Sequence, residues 1–189
     1  SALAWYLLGR ARIDRTSEAR AAFEKAAALA PTNPWPPVGI AYLYFAVGDM
    51  YLCVETYEAA IERMPRSARL RLLLGNQLLN LRLVIDAQRH LEFGHRLAPE
   101  DPMMTGALGK VYVELGRAES GRALLEEAWA AEPTQPDVAM SLAVVYLRDR
   151  EAIRSEQMYR LALEWGATPD EDLFGAIRAA KVVERARAE

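Results

Sequence analysis

Pro31, Pro65, Pro99 and Pro133 stand 34 residues apart, and nothing else in the sequence constrains its fold as strongly. The same step links Ala41, Gly75, Gly109 and Ala143, then Tyr44, Leu78, Tyr112 and Tyr146. It also links Tyr57, Leu91, Leu125 and Tyr159, and Ala60, Gly94, Ala128 and Ala162. Several columns in one register mark an internal repeat. Proline cannot continue a helix and pushes the residue before it out of the α region, so each unit ends there. Gly48-Asp49 and Gly116-Arg117 break two units at mid-length, where glycine permits the positive φ of a helix end. Between the breaks apolar residues recur at helical spacing, as Ile40, Tyr44 and Val47 and then Val54, Tyr57 and Ile61. Each unit therefore reads as two antiparallel helices joined by a short turn. No segment alternates in the manner of a strand, so the expectation is all-α.

With Pro31 as the register mark, the 189 residues divide into units at about 1–33, 34–67, 68–101, 102–135 and 136–169, followed by residues 170–189. That last stretch carries no sixth unit. Asp170 is placed to cap a helix, with Glu171 and Asp172 favourable near its N-terminus. Leu173, Ile177, Ala180 and Val183 or Glu184 lie along one side, and Arg178, Lys181 and Arg185 are expected to face water. A terminal helix with a polar outer face is what an open stack of repeats requires.

Composition narrows the function. Hydrophobic residues make up 52% and charged residues 26%, enough apolar surface to offset chain entropy. The net charge of -3 lacks the basic excess that phosphate-backbone binding needs, and the tail arginines Arg178, Arg185 and Arg187 are interleaved with acids, so no nucleic-acid partner is expected. A single cysteine closes no intrachain disulfide. No run of eighteen apolar residues occurs, so no direct membrane span is expected. Three lysines against twenty arginines suggest a GC-rich bacterial genome. The chain opens Ser1-Ala2-Leu3 rather than on Met, as an excised or mature form would.

These units resemble the tetratricopeptide repeat family, whose pattern is a 34-residue helix–turn–helix with W…LG…Y…A…F…A…P. Leu108-Gly109, Tyr112, Gly116, Leu125, Ala128 and Pro133 fit it well. Leu74-Gly75, Leu78, Ala87, Leu91, Gly94 and Pro99 fit with conservative changes, and Ile40-Ala41, Tyr44, Gly48, Tyr57, Ala60 and Pro65 fit too. The unit from Pro136 keeps Leu142-Ala143, Tyr146, Tyr159 and Ala162, but Pro169 comes two residues late and Arg150 replaces the turn glycine. The first unit matches at Ala19, Phe23, Ala26 and Pro31, while its Leu8-Gly9 pair sits two residues out of register, so its first helix is shifted or atypical. The resemblance covers about residues 2–169. It implies a right-handed α-solenoid of antiparallel helix pairs whose first helices line a concave, protein-binding groove, and it implies no reaction.

One stripe of each first helix (Ile40, Ala41 and Tyr44, or Leu74, Gly75 and Leu78) serves helix packing. The neighbouring stripe supplies the candidate groove: Trp35, Val38, Tyr42 and Phe45; Arg69, Leu72, Asn76, Leu79 and Asn80; Met103, Gly106, Lys110, Val113 and Glu114; and Asp137, Met140, Val144, Leu147 and Arg148. The helix from Trp35 to Val47 is apolar on nearly all sides, so it is either buried all round or offers an apolar surface to a partner. Aromatics and Met on an open surface are typical contact anchors. The alternative for Tyr42 and Phe45 is packing against the second helix of the first repeat. Asn76, Asn80, Lys110 and Glu114 read as a polar strip in mid-groove, with Lys110 and Glu114 also spaced to pair with each other. The near-neutral net charge suggests selection by shape and apolar contact more than by charge.

Within the family, co-chaperones that clamp a chaperone's C-terminal carboxylate present Lys and Asn one turn apart in one repeat, Asn in the next, and Lys and Arg in the third. Here those positions hold Val38 and Tyr42, or Leu72 and Asn76, and the last repeat offers Asp137 and Ser141, so that clamp is absent. No catalytic residue, cofactor or metal site is expected. His90 and His95 are five apart and fall on different helix faces, unlike an i, i+4 metal pair. Cys53 falls where the pattern wants a small packed residue, and reads as a buried, inert thiol. No phosphate loop, nucleophile elbow or zinc spacing occurs. Glu126-Glu127 and Glu55 with Glu58 read as solvated faces.

Three functions fit this reading. The first is a non-catalytic scaffold that binds a peptide, a helix or another protein in its groove, with self-association as a variant around the Trp35 helix. The second is a bacterial pilus or secretion assembly factor, pilotin-like or a secretion chaperone, placed in cytoplasm or periplasm. The tail Ala176-Ile177-Arg178-Ala179-Ala180-Lys181-Val182-Val183-Glu184 faintly resembles the end of pilus-secretin pilotins. A signal peptide and lipobox cysteine encoded ahead of Ser1 would separate it from the first. The third is a regulatory domain of a larger enzyme, which needs catalytic sequence outside these residues.

Overall fold

The structure is a computed structural model that describes residues 1–188, with side chains through residue 186; Arg187 of the tail lies outside the described side chains. Among the described residues every regular element is a helix. Five hairpins run in order: α1 (Ala2–Ala11) with α2 (Thr16–Leu29), α3 (Trp35–Ala46) with α4 (Met50–Arg63), α5 (Ala68–Asn80) with α6 (Val84–Leu97), α7 (Pro102–Glu114) with α8 (Ala118–Ala131), and α9 (Pro136–Arg148) with α10 (Ala152–Glu164). A single helix, α11 (Glu171–Ala188), follows. The fold class is all-α, the right-handed solenoid type built from paired antiparallel helices. The chain forms two compact units, Ser1–Ala98 with α1–α6 and Pro99–Glu189 with α7–α11.

Short-range chemistry explains where the helices start and stop. After α3, α5, α7 and α9 the chain takes a positive φ at Gly48 (79°), Arg82 (61°), Gly116 (76°) and Arg150 (63°). At each, the next residue's N–H donates to the carbonyl five back: Asp49 to Tyr44 at 2.9 Å, Leu83 to Leu78 at 2.9 Å, Arg117 to Tyr112 at 2.8 Å and Glu151 to Tyr146 at 2.8 Å. This Schellman closure satisfies carbonyls that the helix end leaves open. At Arg82 and Arg150 it holds a residue with a β-carbon in the left-handed region, which costs roughly 1–2 kcal/mol. Arg150→Gly should therefore raise stability in urea unfolding by roughly 0.5–1 kcal/mol. A loss of stability instead would mean that the arginine side chain contributes more than its backbone strain removes.

Helix starts follow the same period. Asn33 Oδ1 accepts from the Trp35 N–H at 3.1 Å, Ser67 Oγ from Leu70 at 3.3 Å, and Asp101 Oδ1 from Met103 at 2.9 Å and Met104 at 3.3 Å. Pro102 and Pro136 open their helices at the first position, where a missing N–H does no harm.

In the unit Ser1–Ala98, Phe23 organises the first hairpin. A β-carbon on Gly9 would lie 2.6 Å from the Cδ1–Cε1 edge of its ring, and one on Gly39 would lie 2.6 Å from Cζ at the ring's tip. Phe23 is thus held between a glycine of α1 and a glycine of α3, with Ala19, Leu43, Tyr6 and Ile40 around it. Gly9 takes the place that Gly75 holds against Leu91 in the third hairpin. Helix α1 ends two residues after Gly9, whereas α5 runs five residues beyond Gly75. The first helix is therefore present but shifted, and Leu7, at the position equivalent to Ala41, is 51% exposed.

In the unit Pro99–Glu189, small residues set the helix crossings. A β-carbon on Gly109 would come within 3.1 Å of the Gly121 carbonyl, and one on Gly121 within 2.9 Å of the Gly109 carbonyl. The next hairpin repeats the crossing with Ala143 and Ser155, whose hydroxyl donates to the Ala143 carbonyl at 2.7 Å. Above it Leu125, Ala128, Val138, Leu142, Val145 and Tyr146 form one buried cluster. An ion network ties α8, α9 and α10 together. The Arg122 guanidinium meets Glu126 at 3.0 Å, Asp149 at 2.5 Å and Glu151 at 2.7 Å, and the Tyr146 hydroxyl donates to Glu126 at 2.9 Å. Glu126, expected on a solvated face, is instead a fixed member of this network, because Tyr146 of α9 reaches across to it.

Helix α11 packs on α9 and α10 through Leu173 and Ile177, which join Ala143 and Tyr159 in a buried cluster. Asp170 Oδ1 accepts from the Leu173 N–H at 2.9 Å. The Tyr159 hydroxyl donates to the Asp170 carbonyl and accepts from its N–H, both at 3.1 Å, and its ring stacks on Phe174 with centroids 5.6 Å apart. Lys181, expected to face water, is instead paired with Glu156 of α10. Of the two alternatives at the end of the inner side, Glu184 is partly covered and Val183 is exposed.

Candidate partner-binding surface

Helix α3 is apolar all round yet buries only Pro36, Ala41 and Leu43 fully. Trp35, Tyr42 and Phe45 keep 44–53% of their surface open. Trp35, Val38, Gly39 and Tyr42 form one stripe facing α1, and with Tyr6, Arg10 and Ile13 they enclose a cleft of about 460 Å³ floored by Phe23. The Tyr42 ring, 53% exposed, lines this cleft together with residues of α1 and with Phe23 of the first repeat's second helix. The Arg69 guanidinium lies 5.7 Å above the Trp35 ring. Asn76 and Leu79 are half-buried, and the exposed Asn80 donates to the Gln77 side chain at 3.4 Å. Leu72, expected in the groove, is only 1% exposed and belongs to the core.

In the other unit the corresponding stripe is mostly covered. Met103 is open, but a β-carbon on Gly106 would meet Val138 of α9 at 2.6 Å. Lys110 pairs with Asp137 of α9 at 3.3 Å. Val113 packs on the buried cluster around Leu125, and Met140, Val144 and Leu147 pack on the cluster that α11 completes. Val113, Met140, Val144 and Leu147 are partly buried: each packs on a neighbouring cluster and keeps part of its surface open. Glu114 and Arg148 are exposed. The expected polar strip is divided, with Asn76 and Asn80 in one unit and Lys110 and Glu114 in the other.

Tyr6, Arg10 and Ile13 are the lining residues that sequence reasoning passed over, because α1 was out of register with the other first helices. The 14-residue spacing of Gly9 and Phe23, in place of the 16 between Gly75 and Leu91, was the available signal.

Cys53 is fully buried in the small-residue column it shares with Ala19 and Ala87, and burial pushes its thiol up to about 11. A thiol of that kind carries almost no thiolate at pH 8. It should stay unlabelled by a disulfide-exchange reagent until the chain is unfolded, and rapid labelling of folded protein would contradict the packing described. His90 lies 3.5 Å from Arg71, and burial together with that guanidinium lowers its pKa. Among the described residues no group of three or more His, Cys, Asp or Glu is placed to hold a metal ion, and no helix is long and apolar enough to cross a membrane.

No family model matches the chain. The crystal structure of TTC0263, a tetratricopeptide repeat protein of Thermus thermophilus, superposes with a TM-score of 0.69 at 23% identity over 96% of this chain and 100% of that one. The molecule thus has the fold of a tetratricopeptide-repeat-like helical solenoid. In sequence it is 26% identical over 179 residues to the type IV pilus assembly protein PilF of Pseudomonas aeruginosa, spanning 94% of this chain and 71% of that protein. The structure of Pseudomonas aeruginosa PilF superposes with a TM-score of 0.78 at 24% identity, over 97% and 84% of the two chains. A further relative is the anaphase-promoting complex subunit CDC16 of Saccharomyces cerevisiae, 23% identical over 130 residues, of which this chain spans 16%.

Proposed function

We propose that this chain is a bacterial pilus or secretion assembly factor, which works by holding a segment of another protein against the open face of α3. The observation that carries the contact surface is the set Trp35, Tyr42 and Phe45, large rings left half open on a helix whose remaining sides are also apolar. Aromatic anchors around a cleft are where protein interfaces concentrate their energy. The pilus reading is supported by the likeness to PilF along nearly the whole chain. In this reading the protein works in the cell envelope, on the periplasmic side.

Affinity capture from envelope extracts tests both levels. The folded chain and its Val38→Ser/Tyr42→Ser variant are compared by mass spectrometry. Pilus or secretion-apparatus components should be retained by the parent and lost by the variant. Identical sets of captured proteins would place the contact elsewhere, and a parent that retains only proteins of other systems would remove the pilus reading.

A further inference from the structure

Within the unit Ser1–Ala98, the acids of the helices are confined to the second helix of each hairpin. Helices α1, α3 and α5 contain no aspartate or glutamate, and their charged residues are Arg10, Arg69 and Arg71. Helices α2, α4 and α6 hold seven carboxylates together with five arginines and lysines. The net charge of -3 hides this division. Arg71 is engaged away from the cleft, donating to the Pro65 carbonyl at 2.8 Å and lying 3.9 Å over Phe93. Arg10 lines the α1–α3 cleft and lies 6.0 Å over Tyr6, and Arg69 of α5, outside the lining, lies 5.7 Å from the Trp35 ring centroid. None of the lining residues is acidic. In the first turn of α2, Glu18 is already paired with Arg12 and Arg15, and in the turn before it Asp14 is exposed beside Ile13. The other unit differs, because Glu114 and Asp137 lie on its first helices and Asp137 offsets Lys110.

The cleft also has a shape. Gly39 makes room for the Phe23 ring, which a β-carbon there would strike at 2.6 Å, and the cleft beside that ring is bounded by Tyr6, Trp35 and Tyr42. An apolar side chain of a partner would meet aromatic rings there, with the Arg10 guanidinium among the lining groups. We infer that the α1–α3 cleft takes an acidic segment of a partner protein, which inserts one aromatic or aliphatic side chain against the Phe23 ring and sets a carboxylate beside Arg10. This names the partner class for the surface proposed above and rests on that reading. The apolar insertion supplies most of the affinity, and the charge supplies selectivity and association rate, so the preference should weaken with salt.

The test uses three fluorescein-labelled amphipathic peptides and fluorescence anisotropy with the full chain. One carries Phe and Leu anchors flanked by glutamates, the second carries lysines at the same flanking positions, and the third keeps the glutamates but replaces the anchors with serine. The glutamate peptide should bind at least about tenfold tighter than the lysine peptide at low salt, the margin should shrink at high salt, and the serine peptide should not bind. Arg10→Glu should abolish the preference, and the milder Arg10→Gln, which removes only the charge, should reduce it if the reversal variant misfolds. Equal binding of the two charged peptides, a preference unaffected by both Arg10 variants, or no binding at all would overturn the inference. If both charged peptides bind equally but lose binding in Tyr42→Ser, the broader surface reading stands without the charge selection. Binding untouched by Tyr42→Ser and Val38→Ser removes the surface itself. A concentration-dependent dimer that Tyr42→Ser dissolves would make a second copy the occupant and refute the acidic-segment proposal.

Discussion

Ending the chain after Pro169 should lower its stability by roughly 3–6 kcal/mol and make it aggregate. Leu173 and Ile177 are buried on α9 and α10, and full burial of an aliphatic side chain is worth about 1.5–3 kcal/mol. Their loss would also uncover Tyr159, Met140, Val144 and Leu147, which share that cluster. A domain of this size commonly has about 5–15 kcal/mol in total, so the change would dominate its stability. Urea unfolding and light scattering measure the two effects. A truncated chain as stable and soluble as the parent would mean that α11 is an ornament on the fold. Ile177→Ala gives a graded version, with an expected loss of about 2–4 kcal/mol from the transfer and cavity terms together.

The largest functional effect belongs to Val38→Ser/Tyr42→Ser. Affinity for the captured partner should fall roughly 10–100-fold, as loss of one or two anchors from an interface does. Helicity and melting temperature should change little, because Tyr42 is open to solvent and Val38 stands at the edge of a cleft already present. Circular dichroism and titration of the two proteins side by side separate the outcomes. An unfolded double variant would show that the stripe is core.

The sequence made the repeat legible because its signals are local. Proline at 31, 65, 99 and 133, glycine at 48 and 116, and apolar spacing between them each act within a few residues of chain. Arg82 and Arg150 were harder to read as left-handed turn residues, since an arginine announces nothing about φ and only the register does. The shifted first helix was visible as a misfit at Leu8-Gly9, but its resolution depended on Phe23 lying between Gly9 and Gly39, two glycines 30 residues apart.

What the sequence alone determined is the helical hairpin, its length, its number of copies and the small residues at each crossing. Only the tertiary structure decided which face of each first helix stays open. Trp35 and Tyr42 stand at an open cleft, whereas Leu72, assigned to the same groove by register, is buried, and Val113, Met140 and Val144 pack partly buried on neighbouring clusters. Register places a side chain on a helix face, but exposure depends on what the chain brings against that face from another repeat. Helix α11 beside α9, Gly39 beside Phe23 and Lys181 beside Glu156 are all of that second kind.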